Sequence, residues 1–243
     1  MPVRVGIGGW VYAPWRGGAF YPPGLPQAEE LGYASRHVTA IEINGTFYRL
    51  QNPTTYRRWH DETPDEFVFS LKGPRYITHR SDLAGVGPYL DRFLSSGIGE
   101  LRDKLGPILW QFDPRTAFDP IGFGAFLEAL PQHLRHVVEV RHGSFLDPAF
   151  FDLLRSHRVA VAFVDDAKYP AIDEATGDFA YIRLRRCVEE EPAGYPPAAL
   201  DQWARRARDW SQEGTRDVFL YFINGGKIRA PAAAQALLQR LRS

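Results

Sequence analysis

A chain of 243 residues with 29 Lys+Arg against 29 Asp+Glu carries no formal net charge, which argues against a bulk-electrostatic binder of nucleic acid or membrane. Its 44% hydrophobic and 24% charged residues are those of a globular chain, and its length suits two small domains or one barrel. One cysteine, Cys187, excludes an internal disulfide framework and a Cys-based zinc cage.

The opening residues, Met1-Pro2-Val3-Arg4-Val5-Gly6, lack the apolar run of a signal peptide. The clearest aliphatic run, Val159 to Val164, is far too short to span a bilayer. A soluble cytoplasmic protein is expected, and a lone thiol fits that reducing compartment.

Short apolar runs rich in β-branched and aromatic residues recur along the chain. They lie at Val3–Gly8, Thr39–Ile43, Phe67–Leu71, Pro107–Phe112, His136–Val140, Val159–Asp165, Phe179–Leu184 and Val218–Ile223. Most read as near-continuous hydrophobic strands, the pattern of parallel strands covered on both faces. Helical patterns fall between most of them, at Leu25–Ser35, Thr54–Glu62, Val86–Leu105, Phe123–Leu130, Pro148–Ser156, Pro197–Gln212 and Pro231–Leu241. Several have Pro near the first turn, where a missing N–H costs little.

This alternation predicts an α/β fold, a TIM-like (β/α)8 barrel forming one domain over residues 1–243. A doubly wound open sheet competes with it. However, Gly6-Ile7-Gly8-Gly9-Trp10 lacks the third glycine of the dinucleotide fingerprint and reads more simply as a tight strand exit. Two irregular places stand out. Gly73–Gly87, after the third strand, has no helical period and predicts a long loop. Asp166–Asp178 is too short and polar for a full sixth helix, which is expected to be shortened or missing.

In such a barrel, side chains at the C-terminal strand ends converge on one site. Those ends carry Glu42 and Asn44, Lys72, Gln111, Glu139 and Arg141, Asp165, Arg183 and Asn224. So many polar groups aimed at one place need a reason, because buried charge is costly unless paired. Structural ion pairs such as Glu42–Arg183 or Glu139–Lys72 would be one. A catalytic site is the other. There Glu139 or Glu42 would be the general base, His79 or Tyr76 the acid, and Lys72, Arg141 and Arg183 would stabilise negative charge. Tyr48 and Arg49, in the loop after strand two, join Asn44, Gln111 and Asn224 as substrate-binding candidates, and Asp165 as a further catalytic one.

The local excess of cations suits a small anionic ligand, a phosphate or carboxylate. Backbone N–H groups of Asn224-Gly225-Gly226 could add to it, although Asn-Gly is also a plain turn signal. No cofactor signature is evident. Glu42, Glu139, Asp165 and His79 are suitable ligand types for a divalent metal, but their spacing matches no metal motif. Cys187 follows two arginines that would favour a thiolate; with no partner in view it reads as an incidental small side chain. The aromatic first loop, with Trp10, Tyr12, Trp15, Phe20 and Tyr21, reads first as packing and second as a stacking platform.

Gly8-Gly9-Trp10, Phe20-Tyr21-Pro22, the run Glu42 to Arg49, the run Lys72 to His79, and Glu139-Val140-Arg141-His142 together resemble the DUF72 (YecE-like) family. The resemblance covers nearly the whole chain and implies a TIM-like barrel, without a settled activity. The chain departs from the family pattern at Arg183-Leu184-Arg185-Arg186, where members commonly carry His-Gly after Arg-Leu, and at Asn224-Gly225-Gly226, where an Asn-Asn-rich exit is usual. The expected function is an enzyme (hydrolase, isomerase or lyase) acting on a small sugar-phosphate- or carboxylate-like substrate by acid/base chemistry. A nucleic-acid processing or binding protein and a non-catalytic ligand-binding barrel are the alternatives.

Overall fold

Strands that are apolar on both faces need two cores, and this chain provides them by closing its sheet. The computed structural model describes residues 3–242. Its strands are β1 (Val3–Gly8), β2 (Ala40–Ile43), β3 (Val68–Lys72), β4 (Leu105–Gln111), β5 (His136–Glu139), β6 (Ala160–Asp165), β7 (Phe179–Leu184) and β8 (Asp217–Phe222). Each pairs in parallel with the next, and β8 closes on β1, giving the expected (β/α)8 barrel. Ala40, Val68, Leu109, Val137, Ala162 and Phe219 fill the interior. Their outward neighbours, such as Ile41, Phe69, Ile108, Val138 and Leu220, belong to a second core beneath the helices.

The helices are α1 (Glu30–Ala34), α2 (Gly45–Tyr48), α3 (Pro53–Asp61), α4 (Arg75–Thr78), α5 (Gly87–Leu94), α6 (Pro120–Glu128), α7 (Pro148–Ser156), α8 (Pro197–Ser211) and α9 (Ala230–Arg242). Three of them begin with an Asn or Asp cap followed by proline. Asn52 Oδ1 accepts from Thr55 N (2.9 Å), Asp119 Oδ2 from Gly122 N (3.1 Å) and Asp147 Oδ1 from Ala149 N (2.8 Å). The cap satisfies a free N–H while proline gives up one that would have no partner.

Several sequence expectations are corrected. Leu25–Ser35 is a 3-10 turn (Gln27–Glu29) running into the short α1. Val86–Leu105 is not one helix: α5 stops at Leu94, Gly97 turns left-handed (φ 104°), and 3-10 turns over Ile98–Lys104 lead into β4. Gly73–Gly87 contains α4 and a 3-10 turn at Ala84–Val86, both too short to show a period. No helix forms between β6 and β7, as the polar Asp166–Asp178 segment predicts. The outer face of β6 is covered instead by α8, whose Trp203 and Trp210 rings lie 6.0 and 5.4 Å from Phe163. No helix among the described residues is long and apolar enough to cross a membrane.

Two local features set how the mouth is aimed. Between Phe69 and Leu71, β3 advances two residues while β4 advances three, so β4 bulges around Gly106-Pro107. Proline has no N–H to lose there, and the bulge lies one residue before Lys72. At the other seam, Gly6 lets β1 approach β2 closely, since a Cβ on Gly6 would overlap the Ala40 carbonyl. Gly6→Ala should therefore destabilise the barrel by about 1–3 kcal/mol, the usual cost of overpacking. An unchanged urea midpoint would contradict this account of the seam.

Candidate functional site

Alternation along the strands brings Glu42 (β2), Lys72 (β3), Gln111 (β4), Glu139 (β5) and Arg183 (β7) to the C-terminal end of the barrel interior. Each is at most 7% exposed. Arg183 holds the layer together. Its Nε and Nη2 donate to the two oxygens of Glu42 (2.9 and 2.8 Å), and its Nη1 donates to Gln111 Oε1 (3.3 Å) and to Glu139 Oε2. The other Glu139 oxygen accepts from Arg141 Nε (2.8 Å) and lies 2.7 Å from Arg141 Nη2. Tyr181 Oη donates to Glu42 Oε2 (2.9 Å), and Asn44 Nδ2 to Glu42 Oε1 (3.3 Å). One layer down, Ser70 and Tyr221 share a 2.7 Å hydrogen bond.

Paired charges fix this floor. Burial pushes the Glu139 carboxyl up, but Arg183, Arg141 and Lys72 outweigh it and hold it near 2. Burial pushes Arg183 down, and Glu139 and Glu42 more than reverse that. Burial and Glu42 together drive the Tyr181 phenol well above its ordinary value. Glu139 is thus a poor proton acceptor near neutrality, since a general base works best with a pKa near the operating pH.

Above the floor lies a cavity of about 390 Å³. Five cationic side chains line it (Lys72, Arg141, Arg183, Arg185 and Lys227), and no Asp or Glu does. His79, Asn44, Gln111, Tyr48, Phe47 and Asn224 complete most of its polar and aromatic wall. Arg185 reaches Asp166 (2.9 Å) and Asn224, whose amide, oriented by this network, accepts from Arg185 Nη2 at 2.7 Å. Lys72 Nζ sits 4.0 Å from the centre of the Phe47 ring and has no hydrogen-bond or ion-pair partner among the described residues. Burial, with Arg183 adding to it, pulls Lys72 down to about 8. His79 is also lowered, chiefly by burial, although Asp113 stands 3.5 Å away and opposes the shift.

Ten of the sequence candidates thus meet at the mouth: Glu42, Asn44, Tyr48, Lys72, His79, Gln111, Glu139, Arg141, Arg183 and Asn224. Three do not. Tyr76 packs against Tyr89 of α5 (6.1 Å), Arg49 is exposed outside the cavity, and Asp165 points outward beside Arg186 (3.6 Å). Asp166, the next residue, is the one that joins the mouth, as the partner of Arg185. The period of two places it on the face of Val164, and places Arg185 on the face of Arg183. Lys227 carries no such signal, because it lies in a 3-10 turn after the last strand.

Other expectations resolve as follows. The Glu42–Arg183 pair is present, whereas Glu139 pairs with arginines and not with Lys72. Among the described residues no three His, Cys, Asp or Glu side chains gather as a metal site, and Arg183 fills the space between the two glutamates. The Gly226 N–H is already given to the Cys187 carbonyl (2.6 Å), so that donor of the strand-eight exit is not free for an anion. Cys187 is buried, which pushes its thiol up to about 12 despite the neighbouring arginines. Trp15, Phe20 and Tyr21 of the first loop are packed in the core, with Trp15 also touching the cavity.

The model of the family described as Protein of unknown function DUF72 matches residues 4–243. The UPF0759 protein YecE of Escherichia coli is 32% identical over 59% of this chain, a match that spans half of that protein's length. The UPF0759 protein YunF of Bacillus subtilis is 23% identical over 98% of this chain and 94% of its own. Among solved structures, a DUF72 family protein from Thermotoga maritima aligns over 99% of both chains (TM-score 0.82, 23% identity). A xylose isomerase-like TIM barrel/4-hydroxyphenylpyruvate dioxygenase fusion protein aligns over 99% of this chain and 43% of that one, with a TM-score of 0.52 and 16% identity. These structural likenesses carry the barrel fold.

The floor makes a prediction about stability. Glu139 is held at about 2, below its ordinary 4.5, so its pairing contributes fully above the higher value and is lost as pH falls through the lower. Replacing Arg183 leaves Glu42 without its guanidinium and Glu139 with Arg141 alone, so two buried carboxylates are under-paired. Arg183→Met should cost about 3–5 kcal/mol near neutrality. The cost should shrink at pH 4, where the under-paired carboxylates of the variant take up protons. Urea unfolding of both proteins at the two pH values checks this, and an equal gap at both would refute it.

Proposed function

The chain belongs to the DUF72 family, whose description assigns no activity, and from its barrel mouth we propose an enzyme that binds a small anionic substrate and moves protons at it. The observation that carries this reading is a cavity lined by five cations and no carboxylate in a chain with no net charge. Counting the acids just below and beside it, the mouth holds Lys72, Arg141, Arg183, Arg185 and Lys227 against Glu42, Glu139 and Asp166, an excess of two positive charges. Phosphate or carboxylate oxygens would complete the donor set of Arg141 and Arg185.

In this reading His79 keeps the proton-transfer role the sequence offers it, while the other role passes from the glutamates to Lys72. Glu42 and Glu139 are held by guanidinium groups, and Glu139 stays ionised far below neutrality. Lys72, pulled down to about 8 chiefly by burial, and His79, lowered chiefly by burial, are the wall groups this reading assigns to proton exchange. A nucleic-acid ligand gains less from this geometry, since three of the five first-loop rings that would stack on bases, Trp15, Phe20 and Tyr21, are buried.

Orthophosphate and malonate, titrated calorimetrically, test the reading. Arg185→Gln and Lys227→Ala should each weaken binding of at least one of them tenfold or more. Because the ammonium form of Lys72 attracts anions, affinity should fall as pH rises through about 8, and Lys72→Met should flatten that dependence. Affinity indifferent to all three substitutions would overturn the assignment. A labelled oligonucleotide that binds at low salt, where neither small anion does, would transfer the site to nucleic acid.

A further inference from the structure

The chain has four lysines against 25 arginines, and two of the four are buried. Those two are built differently. Lys104, 3% exposed, donates to the His60 carbonyl (2.6 Å), the Thr63 carbonyl (2.7 Å) and Thr63 Oγ1 (3.4 Å), which is how a structural ammonium is kept. Lys72, 7% exposed, has an aromatic face and no hydrogen bond, although Glu139 and Glu42 lie in the same layer. Both carboxylates are already taken by Arg183 and Arg141. A buried ammonium without an acceptor is costly, whereas a neutral amine is not. Burial without an acceptor therefore brings the free amine within easier reach than at an ordinary lysine, in an open cavity lined by arginines suited to hold an anion.

We propose that Lys72 is a nucleophile that forms an imine with a small anion bearing a ketone or aldehyde, its charged end held by Arg141 and Arg185. The step balances without oxidant or reductant. Neutral Nζ attacks the carbonyl carbon, and the N–C bond forms as the C=O π pair moves to oxygen, which takes up a proton. The nitrogen gives up one proton to leave a neutral carbinolamine; its hydroxyl takes a second proton, the C–O bond breaks, water leaves as the nitrogen lone pair closes the C=N bond, and the nitrogen releases its remaining proton. The net change is amine plus carbonyl to imine plus water. The resulting imine, once protonated, withdraws electrons from the adjacent carbon, and His79 on the same wall is placed to exchange the proton released there. The inference rests on the anion-binding reading above and names its substrate class: a 2-oxo acid or a keto-sugar phosphate.

The test is reductive trapping. The protein is incubated with pyruvate or with dihydroxyacetone phosphate in the presence of borohydride, digested, and mapped at Lys72, Lys104, Lys168 and Lys227. Modification should concentrate on Lys72 at least tenfold over each other lysine with one of the two probes, which also tells carboxylate from phosphate. Orthophosphate or malonate should compete, and Lys72→Met should abolish the adduct. Acetone, which has the carbonyl without the charge, should label Lys72 at least tenfold more slowly. Labelling spread over exposed Lys168 as heavily as Lys72, or absent from Lys72 with both probes, overturns the imine. If orthophosphate or malonate still binds in that case, the anion site stands without it; if neither anion binds, the broader reading falls as well. Because Lys72→Met removes an unpaired buried cation, it should fold with a urea midpoint no lower than that of the parent, so loss of the adduct would not reflect unfolding.

Discussion

Taking the Arg183 guanidinium out of water costs several kcal/mol, and Glu42 or Glu139 would cost as much alone. The barrel closes over them because each answers another's deficit. Glu42 gives both oxygens to Arg183, Glu139 gives one to Arg183 and the other to Arg141, and Gln111 and Tyr181 complete the geometry. Strands that are apolar along most of their length can then end in charge without admitting water to the interior. The cation–carboxylate layer is the lid of the hydrophobic core and the floor of the cavity at once.

That double role decides which groups are left for chemistry. The layer uses up the carboxylates, so the surplus charge facing the cavity is positive and Lys72 goes without a partner. A general base drawn from Glu42 or Glu139 would have to leave its guanidinium, breaking the interaction that keeps the barrel top dry. Lys72 can change protonation without breaking a direct ion pair among the described residues, although its charge helps hold the Glu139 carboxyl low. Charge balance over the whole chain and charge imbalance at the mouth are therefore two sides of one arrangement: acids are held beneath the surface that the cations present.

The barrel was legible because its signals are local. Strand after strand shows its period and its apolar runs, and Asn-Pro and Asp-Pro pairs mark helix starts at Asn52, Asp119 and Asp147. The inward face of each strand end follows from alternation, which is why Glu42, Lys72, Glu139 and Arg183 could be named together. Which of them touch could not be read. Alternation gives a face, but partners depend on the stagger between strands far apart in sequence, and Glu42 and Arg183 are separated by 141 residues. The same limit explains the misplaced residues. Asp165 and Asp166 are adjacent acids at a strand end, and only the register at Val164 decides which one enters. Tyr76 lies in a short helical turn and Arg49 caps the end of another, and no period reveals the direction of either. Val86–Leu105 failed for a related reason: the helical pattern continues in composition, and a single left-handed glycine ends it.

The missing sixth helix belongs to the same logic. A helix after β6 would lift its connecting loop away from the mouth. Without one, residues 166–178 run as an irregular loop beside the site, and the α8 tryptophans cover the strand's outer face instead. Asp166 then stays close enough to pair with Arg185, and Tyr169 lies with its ring under two mouth cations, 4.7 Å from the Arg141 guanidinium and 5.9 Å from that of Arg185. Stacking on an aromatic face fixes a guanidinium plane while leaving its edge N–H groups able to donate. Arg141, held by Glu139 on one side and Tyr169 on another, is thereby oriented before any ligand arrives, and little side-chain entropy remains to be lost on binding. A polar stretch too short to make a helix is what gives the cavity a preset cationic wall.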